Sequence, residues 1–170
     1  MPYITMVDCN TASEEARAAH DEHAKIGQIT NMKRTLLHSV PAFKVMMEWY
    51  TLRDEAAKFL AELDVSFFCY AISSQNHCHI CSTFFRKILK DANIDFEHFA
   101  FNPLQQSLVD YGQALVTKPK NIGDEIFAEL KKHFNEEQIV LLTAFGAMMI
   151  ATNLINDSLQ VELDGYLAGY

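Results

Sequence analysis

Basic residues are scarce in this chain. Only 14 Lys and Arg stand against 22 Asp and Glu, a formal net charge of −8 at pH 7 over 170 residues. Such a balance repels polyanions, which argues against a nucleic-acid partner and against an anionic membrane surface. Residues 1–16 hold no basic cluster followed by an apolar stretch, so no secretory leader is read there and a reducing cytoplasm is the expected location. No useful length of chain alternates apolar and polar residues with the period of a strand. No Gly-rich phosphate loop and no flavin or haem signature is visible, so no cofactor is expected. Internal repeats, low-complexity tracts and long linkers are also missing, and a single domain over residues 1–170 is expected. Four cysteines in a reducing compartment are not a disulfide framework.

What remains is helical spacing almost throughout. Thr11-Ala12-Ser13-Glu14 resembles a capping box that opens a helix toward Gly27. A short helix is expected over Asn31–His38. Pro41 then suits the first turn of a helix carrying Phe43, Met46, Met47, Trp49 and Tyr50. Glu62–Ser73 reads as a helix despite the β-favouring run Val65–Tyr70. Asn102-Pro103 opens another toward Val116, Gly123-Asp124 a short one, and Asn135-Glu136-Glu137 a long one ending near Leu159. The stretch Ile139–Ile155 carries no charge. It is short for a membrane span, contains Thr143, Thr152 and Asn153, and is expected to be a buried central helix. The fold class is therefore all-α, and no membrane association is expected.

The chemistry concentrates at Cys78-His79-Ile80-Cys81, where the polar run Ser73–His77 meets an amphipathic helix. Unpaired N–H groups and the dipole at a helix N-terminus stabilise a thiolate, and two thiols three positions apart can close a disulfide. In a thioredoxin-like protein the same pair would sit in a βαβ unit, which the helical spacing excludes here. Zinc is a weaker reading, because neighbouring residues cannot all ligate one tetrahedral ion and no second cluster follows; no metal site is expected. His20 and His23 read as part of an exposed acidic helix face. Cys9 and Cys69 have no partner at useful spacing.

These features together resemble the alkylhydroperoxidase D (AhpD)-like, or carboxymuconolactone decarboxylase-like, superfamily, in its peroxidase-related branch. The resemblance lies in Asn31, Arg34, Leu36 and Pro41, in Ser73-x-x-Asn76-x-Cys78-x-x-Cys81, and in the C-terminal segment Leu142–Val161 with Asn153 and Leu159. It implies an AhpD-like helical bundle and a homo-oligomer, often a trimer or hexamer. It also implies a redox pair in which Cys81 attacks peroxide and Cys78 resolves the product as a disulfide. The implied substrate is a peroxide or disulfide, and the implied reductant an external dithiol or lipoyl-type carrier.

The family's active members carry a Glu and a His that relay protons to the attacking thiol. Here those positions hold Ser66 and Phe85. A hydroxyl cannot act as a general base, and a phenyl ring dries the pocket. Glu62, one helical turn before Ser66, and Tyr70, one turn after it, are candidates to face the thiols. His77 and His79 flank Cys78 and can stabilise its thiolate when protonated. The candidate catalytic set is thus Cys78, Cys81, His79, His77, Glu62 and Ser66. The dipole favours Cys78 as the more acidic thiol, whereas the resemblance makes Cys81 the attacking one. Two further functions stay open: a redox-sensing or binding module without peroxide turnover, and a small-lactone decarboxylase.

Overall fold

A computed structural model describes all 170 residues. Eight α-helices follow one another: α1 (Glu14–Ala24), α2 (Asn31–Leu36), α3 (Val40–Ala56), α4 (Glu62–Gln75), α5 (His79–Asp91), α6 (Pro103–Thr117), α7 (Asp124–His133) and α8 (Glu136–Ser158). Two single 3₁₀ turns, Phe96–His98 and Gly165–Leu167, complete the chain, and it contains no strand. The all-α expectation holds, including for Val65–Tyr70, which lies inside α4.

Helix ends follow the capping chemistry of the sequence. The Asn102 side chain accepts from Gln105 N and the Asn135 side chain from Gln138 N, each with a Gln side chain returning the bond. Ser39 accepts from Ala42 N, and Pro41 sits in the first turn of α3. One cap differs from expectation. Ser13, not Thr11, begins α1, because Thr11 is spent in a turn whose N–H and hydroxyl both reach Asp8 O.

Helix α4 is the centre of the molecule. Nine consecutive residues, Val65–Ser73, are buried, so its apolar surface continues all the way round. It packs against α5, α6 and α8. Gly112 of α6 lets the helices close up: a Cβ there would stand 3.2 Å from both Phe68 O and Ile72 Cγ1. Phe96, Phe99 and Phe101 from the α5–α6 connection close around Phe67 at centroid separations of 6.2, 5.1 and 5.1 Å. A second, smaller core joins Val7, Leu36, Leu37, Val40, Phe43 and Met46 in the N-terminal part.

Helix α8 connects the two cores. It lies against α3 on one side and α4, α5 and α6 on the other. It is long and apolar enough to cross a membrane by length and composition alone, yet Leu142, Phe145, Met149 and Asn153 are core residues of the bundle. The expected buried central helix is present through these residues, while Val140 (69% exposed) and Leu154 (63%) form part of an outward apolar face. Helix α3 packs along α8 without extended backbone contact to α4 or α5. The resulting gap is the site.

Candidate active site

The turn between α4 and α5 is a Schellman motif. Cys78 N donates to Ser73 O and His77 N to Ser74 O, with His77 in the left-handed region at φ 58°. The chain is thereby turned so that Cys78 is the N-cap of α5 and Cys81 lies in its first turn. The helix N-terminus expected from the sequence is therefore present.

Both cysteines are free thiols and both are buried, Cys78 at 0% exposure and Cys81 at 5%. Their positions differ in the respect that matters. Cys81 lines a cavity of about 580 Å³ between α3 and the α4–α5 pair, whereas Cys78 lies behind it, outside the lining. The two thiols act on each other. The Cys81 thiol is the main reason the Cys78 pKa lies below its ordinary value; burial opposes it and the Cys81 backbone N–H adds to it. The same interaction, with burial, pushes the Cys81 pKa well up. Of the two, Cys78 is therefore the more acidic thiol and Cys81 the one that holds its proton more tightly.

Two residues of α8 complete the thiol environment. Asn156 Nδ2 donates to Cys81 Sγ at 3.2 Å, favouring its thiolate, and Asn156 Oδ1 is buried without a partner. The Asp157 carboxylate raises the pKa of both cysteines by its charge. Partial desolvation raises the Asp157 pKa in turn, with Cys78 acting against it. The sequence argument missed both residues. The available signal was a polar face, Thr152, Asn153, Asn156, recurring at helical spacing inside an otherwise apolar run.

The other candidates are placed as follows. Ser66 lines the cavity, but its hydroxyl donates to Glu62 O at 3.1 Å within its own helix. Glu62 is exposed and contributes to the same lining. Tyr70 does not join them; its ring packs on Phe96 at 4.6 Å, away from the cavity. His77 and His79 are both exposed and outside the lining. Phe85 forms part of the wall, 6.5 Å from Trp49 between ring centroids. Cys69 is wholly buried, which pushes its thiol pKa up and takes it out of thiol chemistry. His23 also departs from expectation: it is buried against Phe43 and Tyr50 rather than on an exposed acidic face.

No protein-family model and no curated protein matches this sequence. Solved structures do match. An AhpD-core, peroxidase-related protein from Ralstonia eutropha JMP134 superposes with a TM-score of 0.74 at 14% identity, over 98% of this chain and 94% of that one. The chain has the AhpD-core fold. A peroxidase-related protein from Silicibacter sp. TM1040 gives a TM-score of 0.73 at 14% identity, covering 97% and 94% of the two chains. The debrominase Bmp8 in its apo form gives 0.73 at 16% identity, covering 96% and 93%. The family resemblance read from the Cys78–Cys81 motif thus agrees with the architecture. In this AhpD-core chain the cysteine pair lies at the α5 N-terminus, with Ser66 and Phe85 beside the cavity.

Proposed function

We propose that this chain is a thiol-dependent oxidoreductase that reduces hydroperoxides, with Cys81 as the attacking and Cys78 as the resolving thiol. The observation that carries the reading is that Cys81 lines the cavity while Cys78, three residues before it, is fully buried outside the lining. A substrate entering the cavity meets Cys81 first.

The pair supplies its own proton acceptor where the family's relay is replaced by Ser66 and Phe85. As Cys81 attacks the peroxide oxygen, its proton passes to the Cys78 thiolate. The O–O bond breaks, Cys81 becomes a sulfenic acid, and the alkoxide leaves as the alcohol on a proton taken from solvent. Asp157 then accepts the Cys78 proton, and the Cys78 thiolate attacks the Cys81 sulfur. A disulfide forms, and the hydroxide leaves as water on the proton that Asp157 returns. The hydroperoxide is reduced by two electrons and the dithiol oxidised by two. A dithiol or lipoyl-type carrier in a reducing cytoplasm returns both electrons. Glu62 contributes a carboxylate to the cavity lining, whereas His77 and His79, exposed beside Cys78, take no step in this scheme. The exposed apolar face of α8 at Val140 and Leu154 supports a homo-oligomer, trimeric or hexameric.

The test is hydroperoxide consumption with an added dithiol, for the wild type and each single Cys→Ser variant. Turnover lost in both variants, with one sulfenic acid formed at Cys81 in Cys78→Ser, is expected. A reversible Cys78–Cys81 disulfide without turnover would replace this reading by a redox sensor.

A further inference from the structure

The cavity has a second end that the thiol chemistry does not use. Lys33 lines it with only 3% of its surface exposed. Its Nζ donates to Gln28 O at 2.5 Å and to Tyr50 Oη at 2.6 Å, both uncharged acceptors. No carboxylate stands within ion-pair distance of it. A buried ammonium held only by neutral acceptors is an expensive arrangement, which a bound anion would relieve. Asp164, the acid on the same wall, attracts Lys33 through its charge from beyond ion-pair distance, and its Oδ1 is engaged by Asn31 N at 2.8 Å.

The surrounding groups are donors as well. The Arg53 guanidinium lies over the Tyr50 ring at 4.8 Å and the Trp49 ring at 5.7 Å, its paired Asp54 being an exposed neighbour in sequence. Trp49 Nε1 and Tyr166 Oη line the same cavity, and both atoms are buried without a hydrogen-bond partner. An indole N–H can only donate. Between this end and Cys81 the wall is apolar, since 16 of the 24 lining residues are hydrophobic. Phe85, Trp49 and Tyr50 form a continuous aromatic path, with Trp49–Tyr50 at 5.0 Å. The volume of about 580 Å³ falls in the range of small-molecule sites.

We infer that Lys33, Arg53, Trp49 and Tyr166 form a carboxylate-binding subsite, so that the cavity takes an apolar organic acid with its reactive group held at Cys81. Two cations faced by two acids, Asp164 and Glu62, leave no excess positive charge for a dianion, whereas unspent neutral donors complete the shell of a monoanion. The substrate class, a hydroperoxide bearing a carboxylate, rests on the peroxidase reading above; the subsite is tested separately by binding.

Trp49 is the only tryptophan in the chain and reports on the cavity directly. The full chain carrying Cys78→Ser and Cys81→Ser is titrated with 4-isopropylbenzoate and with its neutral analogue 4-isopropylbenzamide, following Trp49 fluorescence. At pH 7 the acid is expected to bind about tenfold or more tightly than the amide, and Lys33→Met to abolish that preference. A pH series on the same protein gives a second readout that needs no change at Lys33. Burial holds the Lys33 pKa at about 8, and the groups facing it are His23 from α1, Tyr50 and Arg53 from α3, and Asp164 and Tyr166 from the C-terminal segment. Acid binding should weaken as Lys33 loses its proton above that value, by more than amide binding does. Equal affinities for acid and amide, or an acid preference indifferent to both Lys33→Met and alkaline pH, would overturn the inference. Comparing turnover of cumene hydroperoxide with that of its 4-carboxy derivative then separates the two proposals. Acid-selective binding with neither hydroperoxide consumed upholds the subsite and sinks the peroxidase reading.

Discussion

Asn156 Nδ2 donates a hydrogen bond to Cys81 Sγ across 3.2 Å, from the end of α8 to the first turn of α5. It opposes the interaction with the Cys78 side chain and the burial that together push the Cys81 pKa up. Replacing Asn156 by Leu removes the donor at similar volume. Alkylation of Cys81 should slow by about tenfold, the scale of one hydrogen bond to a charged group. Mass-spectrometric rates of iodoacetamide labelling at pH 7.5 check this; unchanged rates would show that the amide does not set Cys81 reactivity.

Asp157 acts in the opposite sense, raising both thiols through its charge. Asp157→Asn should lower the apparent pKa of the first thiol to ionise, read from thiolate absorbance near 240 nm. If Asp157 also takes the Cys78 proton during resolution, the sulfenic acid should persist longer in the variant despite the more acidic thiol. Stopped-flow detection of the sulfenic acid separates the two effects.

His23 is buried, and its burial, aided by the Lys33 charge, lowers its pKa from 6.5 to about 4. Between those values the unfolded chain binds a proton that the folded chain refuses. Stability from this group is therefore complete above pH 6.5 and is lost as pH falls toward 4. His23→Phe keeps the ring against Phe43 and Tyr50 and removes the titration. Relative to wild type, the variant should gain about 2 kcal/mol between pH 7 and pH 4, after allowance for screening. Urea midpoints at the two pH values measure it. The raised carboxyls of Asp157 and Asp164 act with the other sign but are common to both proteins.

His77 occupies a left-handed backbone position, which a β-branched residue adopts only under strain. His77→Val should cost about 1–2 kcal/mol and disturb the α4–α5 turn. His77→Gly should preserve both the turn and thiol reactivity. Loss of reactivity in the folded glycine variant would instead give the imidazole a chemical role.

Gly146 of α8 lies under Leu115, where an added Cβ would come within 2.5 Å of Cδ1 and 3.1 Å of Phe68 Cζ. Gly146→Ala should destabilise by about 1–3 kcal/mol through overpacking, visible as a lower Tm. A neutral result would mean that α6 and α8 separate more readily than their packing suggests.

The helices were legible because their ends carry local chemistry: Asn102 with Pro103, Asn135 with Gln138, and Pro41 all act within four residues of themselves. Cys78 at a helix N-cap was legible for the same reason. The rest of the site was not, because its members meet only after folding. Asn156 is 75 residues from Cys81, and nothing near either residue announces the other. Lys33 reads in sequence as one more charge on a short helix, and only the packing of α3 and the 164–167 segment around it shows that it is buried. Glu62 and Ser66 were found by helical spacing, but spacing could not foresee that the Ser66 hydroxyl would be spent on its own helix or that Tyr70 would turn to Phe96.

The cavity is sewn from both ends of the chain: Asn31 N to Asp164 Oδ1, Tyr3 N to Leu159 O, with Asn156 and Asp157 beside the cysteines. During synthesis on the ribosome, α4 and α5 emerge long before these later residues. A nascent chain therefore carries its thiol pair without the amide, the carboxylate or the closed pocket that tune it. The surroundings that tune the two thiols are therefore complete only once the stretch through Leu167 has emerged and folded back, so the order of translation postpones that tuning.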